Sequence, residues 1–137
     1  MPRKPKAIVL DSWAIMAYLE DEPAAAQVAD IIADANDDGI PLLMTVVNLG
    51  EIWYIIARQT TSGDADSTVN ELRQLGIEFI DADWSLTHEA ARFKARGRIS
   101  YADCFAAALA KQRKAHLITG DKEFSQVERD IEIHWIK

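Results

Sequence analysis

Five short apolar segments punctuate the chain: Ala7–Leu10, Leu42–Thr45, Ile77–Ile80, His116–Thr119 and Ile131–Ile136. The first four hardly alternate between apolar and polar residues. That pattern suits strands covered on both faces, as in a parallel sheet. The last, "IEIHWI", places Glu132 and His134 between apolar residues, which predicts a half-exposed edge strand. Between the segments the apolar residues recur at helical spacing. "PAAAQVADIIADAND" repeats Val28, Ile31, Ile32 and Ala35, with Pro23 suited to a first turn. "VVNLGEIWYIIARQ" predicts a buried face of Val46, Leu49, Trp53 and Ile56, and "STVNELRQLG" carries Val69, Leu72 and Leu75 up to a stop at Gly76. "YADCFAAALAKQRK" offers Ala102, Phe105 and Leu109 as a stripe and ends in cations that suit a helix C-terminus. Such alternation predicts right-handed crossovers and a mostly parallel sheet with helices on both sides.

The 137 residues suit one domain spanning 1–137, with residues 1–6, containing "RKPK", as a flexible tail. No apolar run approaches the roughly 20 residues of a membrane span, and no secretory leader is expected at "MPRKPKAIVLDSWA". Cys104 is the single cysteine. It permits no internal disulfide, fits a reducing cytoplasm and reads as a small core residue. The formal charge of −7 argues against a protein that coats nucleic acid indiscriminately. It leaves room for an acidic site that holds phosphate through cations.

Four carboxylates fall where parallel sheets bind ligands, at the carboxyl ends of strands. Asp11 follows "AIVL", Glu51 lies in the first turns after "LLMT", Asp103 opens the "YADCFAAALA" helix, and Asp121 follows "LITG". Each has a local explanation. Asp11 and Asp121 can cap the helices that follow, and "SYAD" and "NLGE" have the spacing of capping boxes. Local capping does not explain why all four share one rim. Two carboxylates about 5 Å apart repel by roughly 3 kcal/mol at an effective dielectric near 20. Four together need a cation or bound protons. An all-oxygen set without a His/Cys cluster favours Mg2+ or Mn2+ over Zn2+, and such ions suit hydrolysis of a phosphodiester.

Taken together, "IVLDSWAIMAYLEDEP", "VVNLGEIWY" and "SYADCFAAALAKQRKAHLITGDKEF" resemble the PIN-domain ribonucleases, in particular the VapC-type toxins of bacterial and archaeal toxin–antitoxin pairs. The resemblance runs from Ile8 to about Trp135. It implies a three-layer α/β/α sandwich around a five-stranded sheet and a metal-dependent endoribonuclease. It also implies Asp11, Glu51, Asp103 and Asp121 as the metal-holding and catalytic acids, supported by Ser12, Asn48 and Thr119. A homodimer and a VapB-like antitoxin partner belong to the same implication. Trp13 departs from the small or moderate apolar residue common at its position in that family, which leaves the shape of the pocket mouth open.

RNA must still approach an acidic protein. Arg92, Lys94, Arg96 and Arg98 form a cationic run just before Ser100, and Arg92, Arg96 and Arg98 are candidates to bind RNA phosphates. A solvated helix face is the alternative. His88, His116 and His134 lie outside the motifs and are read as structural or exposed. A phosphoacceptor domain would need a second acid beside Asp11 and a lysine better placed than Lys122. A PIN-like interaction module without chemistry, and a PIN nuclease acting outside a toxin–antitoxin pair, including one directed at DNA, are the remaining alternatives.

Overall fold

Side chains on the central strands point alternately to opposite faces, and both directions are apolar. The computed structural model describes residues 4–137. In chain order the elements are β1 (Ile8–Leu10), α1 (Ser12–Leu19), α2 (Ala25–Asp38), β2 (Leu42–Thr45), α3 (Val46–Gln59) and α4 (Ser62–Gln74). There follow β3 (Ile77–Ile80), α5 (Trp84–Arg96), α6 (Tyr101–Arg113), β4 (His116–Thr119), a 3-10 helix (Lys122–Val127) and β5 (Glu132–Trp135). Val9, Leu43 and Leu117 pack with α5, α6 and the 3-10 helix, through side chains such as Phe93, Phe105 and Phe124. Ile8, Leu10, Leu42, Met44 and Ile118 pack on the other side with α1 to α4. Each large apolar side chain so buried contributes roughly 1.5–3 kcal/mol. The result is an α/β/α sandwich.

The strand order is β3-β2-β1-β4-β5, and every neighbouring pair is parallel. β5 lies at one edge, with Glu132, His134 and Trp135 exposed, as its alternating pattern predicts. The chain lays down β1, β2 and β3 in one direction, then returns to place β4 against the free side of β1.

Four local expectations change. Pro23 stands ahead of α2, which begins at Ala25, so it sits in the preceding turn. α4 begins at Ser62, earlier than the apolar spacing indicates, because the Thr61 hydroxyl accepts the Asp64 N–H at 3.0 Å and caps it. On α3 the fully buried positions are Asn48 and Ile52. Trp53 is half-buried and donates its indole N–H to Asp66 Oδ1 at 2.9 Å. The "NLGE" capping box is not formed: Thr45, one turn earlier, caps α3 by accepting the Asn48 N–H at 3.0 Å.

Gly76 has φ +90°, the left-handed conformation that ends α4 and lets β3 begin. Lys4 pairs with Asp38 at 3.4 Å, while residues 1–3 of the expected tail lie outside the described residues. Among the described residues no helix is long and apolar enough to cross a membrane. His88 stacks on Trp84, with ring centroids 5.3 Å apart, and His116 and His134 lie on β4 and β5. None of the three lines the acidic cleft described next.

Candidate active site

Because β2 and β4 flank β1 on opposite sides, the segments leaving β1 and β4 diverge and open a crevice at the carboxyl edge. Asp11 is the first residue beyond β1, and Thr119 is the last of β4. The Asp11 carboxylate is fully buried there. Its Oδ1 accepts the Ala14 N–H at 2.8 Å, capping α1, and its Oδ2 accepts the Thr119 hydroxyl at 2.5 Å. Burial pushes the Asp11 pKa up to about 7; the Thr119 and Ala14 bonds oppose the shift, and the charges of Asp121 and Glu51 add to it.

Glu51 reaches the crevice from α3. Its Oε1 accepts the Ser12 hydroxyl at 2.6 Å and the Asn48 side-chain amide at 3.4 Å. Asn48 is fully buried and joins three elements. Its Oδ1 accepts the Thr45 hydroxyl at 2.6 Å, and its Nδ2 also donates to the Ala102 carbonyl at 3.1 Å. The residue beyond that carbonyl is Asp103, so Asn48 ties Glu51 to the start of α6.

Asp103 is 8% exposed. The Ser100 hydroxyl caps α6 by accepting the Asp103 N–H at 3.2 Å, so that half of the "SYAD" cap is formed. Burial first, then the charges of Asp121 and Asp11, push the Asp103 pKa up to about 8. Asp121 donates its N–H to Thr119 Oγ1 at 3.0 Å and accepts the Glu123 N–H at Oδ1, 2.9 Å away. Asp11 and Asp121 are therefore both helix caps, and Asp121 also lines the cleft.

A fifth acid joins them. Oxygens of Asp103, Asp121 and Glu123 lie within 4.8 Å of one another. The sequence reading missed Glu123. Its only signal is its position two residues after Asp121 in a tight turn, which does not distinguish it from a surface acid. Together with Glu51, these three face a cleft of about 390 Å³ that Trp13, Met16 and Ile55 also line. The hard oxygen donors of Glu51, Asp103, Asp121 and Glu123 fit a divalent cation such as Mg2+ or Mn2+, which would replace the proton that the raised Asp103 pKa favours.

Trp13 is held against Gly120. A Cβ built on Gly120 would lie 2.3 Å from Trp13 Cη2 and 2.6 Å from two more ring atoms. This fit requires glycine beside Asp121. Gly120→Ala is expected to destabilise the protein by about 1–3 kcal/mol, as overpacking does. Trp13→Leu in the same chain should recover part of that loss, measured as urea midpoints around a double-mutant cycle.

The candidate RNA-binding arginines lie elsewhere. Arg92 and Arg96 line a separate groove with Glu89, Phe93 and Lys111, and Arg96 forms a bidentate pair with Asp130 at 2.9 and 3.3 Å. Arg98 donates its backbone N–H to Gln126 Oε1 at 3.1 Å, and its side chain is exposed. Cys104 is fully buried, and burial pushes its thiol up to about 11, which makes it inert at neutral pH.

A parallel α/β sandwich with carboxylates gathered at the β1–β4 crevice offers hard oxygen donors that could hold a divalent cation. The PIN domain model matches residues 8–130, and the chain belongs to that family. Several solved structures share the fold. VapBC2 from Rickettsia felis, bound to a DNA fragment from its promoter, superposes with a TM-score of 0.74 at 14% identity, covering 96% of this chain and 99% of that one. VapBC-1 from nontypeable Haemophilus influenzae gives 0.73 at 17%, covering 94% and 97%. VapC20 from Mycobacterium tuberculosis, described as a toxin that cleaves the sarcin-ricin loop, gives 0.70 at 16%, covering 87% and 93%. No sequence match is found among proteins of curated function.

Proposed function

We propose that this protein is a Mg2+- or Mn2+-dependent endoribonuclease of the VapC type, acting in the cytoplasm and restrained by a cognate VapB-like antitoxin. A homodimer is part of the proposal. The observation that carries the chemistry is the gathering of Glu51, Asp103, Asp121 and Glu123 on one cleft, with buried Asp11 within reach of the Asp121 and Glu51 charges and with Asp11 and Asp103 raised far above the ordinary carboxylate range. The toxin reading draws on the solved neighbours, several of which are VapBC complexes.

Asp103, Asp121 and Glu123 would hold the cation. Asp11 has both oxygens engaged and positions Thr119, whose hydroxyl receives the Asp121 N–H. Glu51, fixed by Ser12 and Asn48 through one oxygen, retains a second oxygen to complete the cation's surroundings or to orient the attacking water. A bound divalent ion supplies Lewis acidity toward the phosphate and lowers the pKa of water. Trp13, Met16 and Ile55 contribute apolar surface to the same cleft. The test is cleavage of RNA by purified protein with Mn2+, abolished by chelation. Intact RNA under all metal conditions, without Mn2+ binding, would reject the reading.

The same carboxylates predict a pH dependence. An ordinary aspartate titrates near 3.8, but folded Asp11 and Asp103 titrate near 7 and 8. Between these values the folded chain binds more protons than the unfolded one. The stability of the metal-free protein therefore falls as pH rises, until both groups are ionised above about 8. Mn2+ binds the ionised form, so the rise in Tm on adding Mn2+ should be larger at pH 8 than at pH 6. Differential scanning calorimetry checks this, and an equal rise at both values would contradict it.

A further inference from the structure

Charge is distributed unevenly between the two helical layers. Residues 84–114, which form α5 and α6, carry seven lysines and arginines against two carboxylates, although the whole chain has a net charge of −7. The layer of α1 to α4 is correspondingly acidic. A polyanion reaching the acidic cleft meets least repulsion across the α5–α6 layer.

That layer is also grooved. One groove, of about 400 Å³, runs between the end of α5 and the 3-10 helix, past Gly97, Ile99, Gln126 and Arg129. A second, of about 270 Å³, continues from it along α5 and α6, sharing Phe93 and Arg96 and adding Arg92 and Lys111. The first groove ends at Ile99, next to Ser100, and Ser100 lines the acidic cleft. The 3-10 helix carries Glu123 into the cleft and Gln126 into the groove.

The turn between them is fixed. Gln126 Oε1 accepts the Arg98 N–H at 3.1 Å, and a Cβ on Gly97 would lie 2.9 Å from the same oxygen. Lys94 Nζ donates to the Ile99 carbonyl at 2.9 Å. Arg98 is thus held in register with the acids. The cations differ in availability. Arg96 is committed to Asp130, Lys111 is paired with Glu89, and Arg92 lies 4.0 Å from Glu89. Among the described residues, the exposed guanidinium groups of Arg98 and Arg129 make no ion pair or side-chain hydrogen bond.

We propose that the groove between α5 and the 3-10 helix carries the single-stranded RNA backbone away from the cleft, with Arg129, which lines it, and Arg98, exposed on the turn between its Gly97 and Ile99, each binding a phosphate. Arg96 and Asp130 form the rigid floor of this track. The proposal rests on the nuclease reading and adds the path of the strand. It also narrows the phosphate contacts from the whole basic run to one member of it and one arginine outside it. Grip through phosphates fixes the strand without reading its sequence.

The test uses a fluorescein-labelled single-stranded RNA of mixed sequence and the Asp103→Asn protein, which holds RNA without cutting it. Adding Arg98→Ala and Arg129→Ala should raise Kd about tenfold near physiological salt and flatten the slope of log K against log salt by about 1.4, two phosphates at ~0.7 each. In the otherwise unaltered enzyme the same pair should raise KM and leave kcat, Tm and Mn2+ affinity unchanged. Arg73→Ala, on α4, should change none of these. Unchanged Kd and salt slope in the double variant, or no RNA binding by the Asp103→Asn protein, overturns the track. If the wild type binds RNA with this salt dependence yet never cleaves it, the track stands and the nuclease reading falls.

Discussion

Asp103→Asn should yield a protein that no longer cleaves RNA yet, without metal at pH 8, is more stable than its parent. The loss of cleavage is expected to reach about 10³-fold, corresponding to about 4 kcal/mol of lost transition-state stabilisation. The gain in stability has a separate origin. Burial and the neighbouring carboxylates raise the Asp103 pKa to about 8, so its ionisation opposes folding as pH rises toward that value. An asparagine of the same shape carries no charge, and the Ser100 cap uses the main-chain N–H of residue 103, which the substitution retains. A gain on the order of 2 kcal/mol, or about 5 °C in Tm, is expected at pH 8. The advantage should shrink as pH falls and vanish only below 3.8, where Asp103 is protonated in the folded and the unfolded parent alike. Excess Mn2+ should reverse the order, because only the parent retains the full ligand set. A metal-free variant less stable than its parent at pH 8 would show that the carboxylates are not in the strained state described.

Asn48→Leu should produce the largest loss of stability among polar substitutions in the site, about 2–4 kcal/mol. The leucine is close in volume but removes the acceptor of the Thr45 hydroxyl and the donor to the Ala102 carbonyl. Leaving buried partners unsatisfied costs roughly 1–3 kcal/mol each. The α3 cap itself survives, since it uses the main-chain N–H of residue 48. Urea unfolding should therefore show a lower midpoint with an unchanged m value. Activity should fall as well, because Asn48 is the link between Glu51 and the start of α6. A midpoint within experimental error of the parent would mean that the three-element link contributes nothing.

The centre of the sheet was legible because β1, β2 and β4 are largely apolar, a pattern that burial on both faces explains; β3, expected to be covered likewise, stands at the other edge and is fully buried only at Ile77. β1, β2 and β4 fall within or on the segments read from sequence, and β5 stands at an edge as its alternation indicates. Strand direction placed Asp11 and Asp121 at the rim, whereas Glu51 and Asp103 lie on helices α3 and α6 and were read from their nearness to helix starts. Features decided by contacts between distant segments were not legible. "NLGE" matches a capping box in spacing, yet Thr45 one turn earlier has the better geometry and takes the role. Glu123 enters the cleft only because Asp121 caps a 3-10 helix and tightens the turn. The seat of Trp13 on Gly120 joins residues far apart in sequence, and neither signals the other locally. The basic run "RFKARGR" (92–98) reads as a single patch in sequence. The fold separates it into arginines facing paired acids and one exposed arginine at a fixed turn.

The bond between Asp11 and Thr119 spans 108 residues of chain. Contacts of such separation form late, since the loop they close must first be ordered by everything between them. During synthesis the acid at the end of β1 leaves the ribosome long before the hydroxyl that receives it, and before Asp121 and Glu123. For most of translation the emerging polypeptide holds scattered carboxylates and no pocket. The cleft is therefore withheld from the nascent chain by topology alone, and is complete only when β4 pairs with β1.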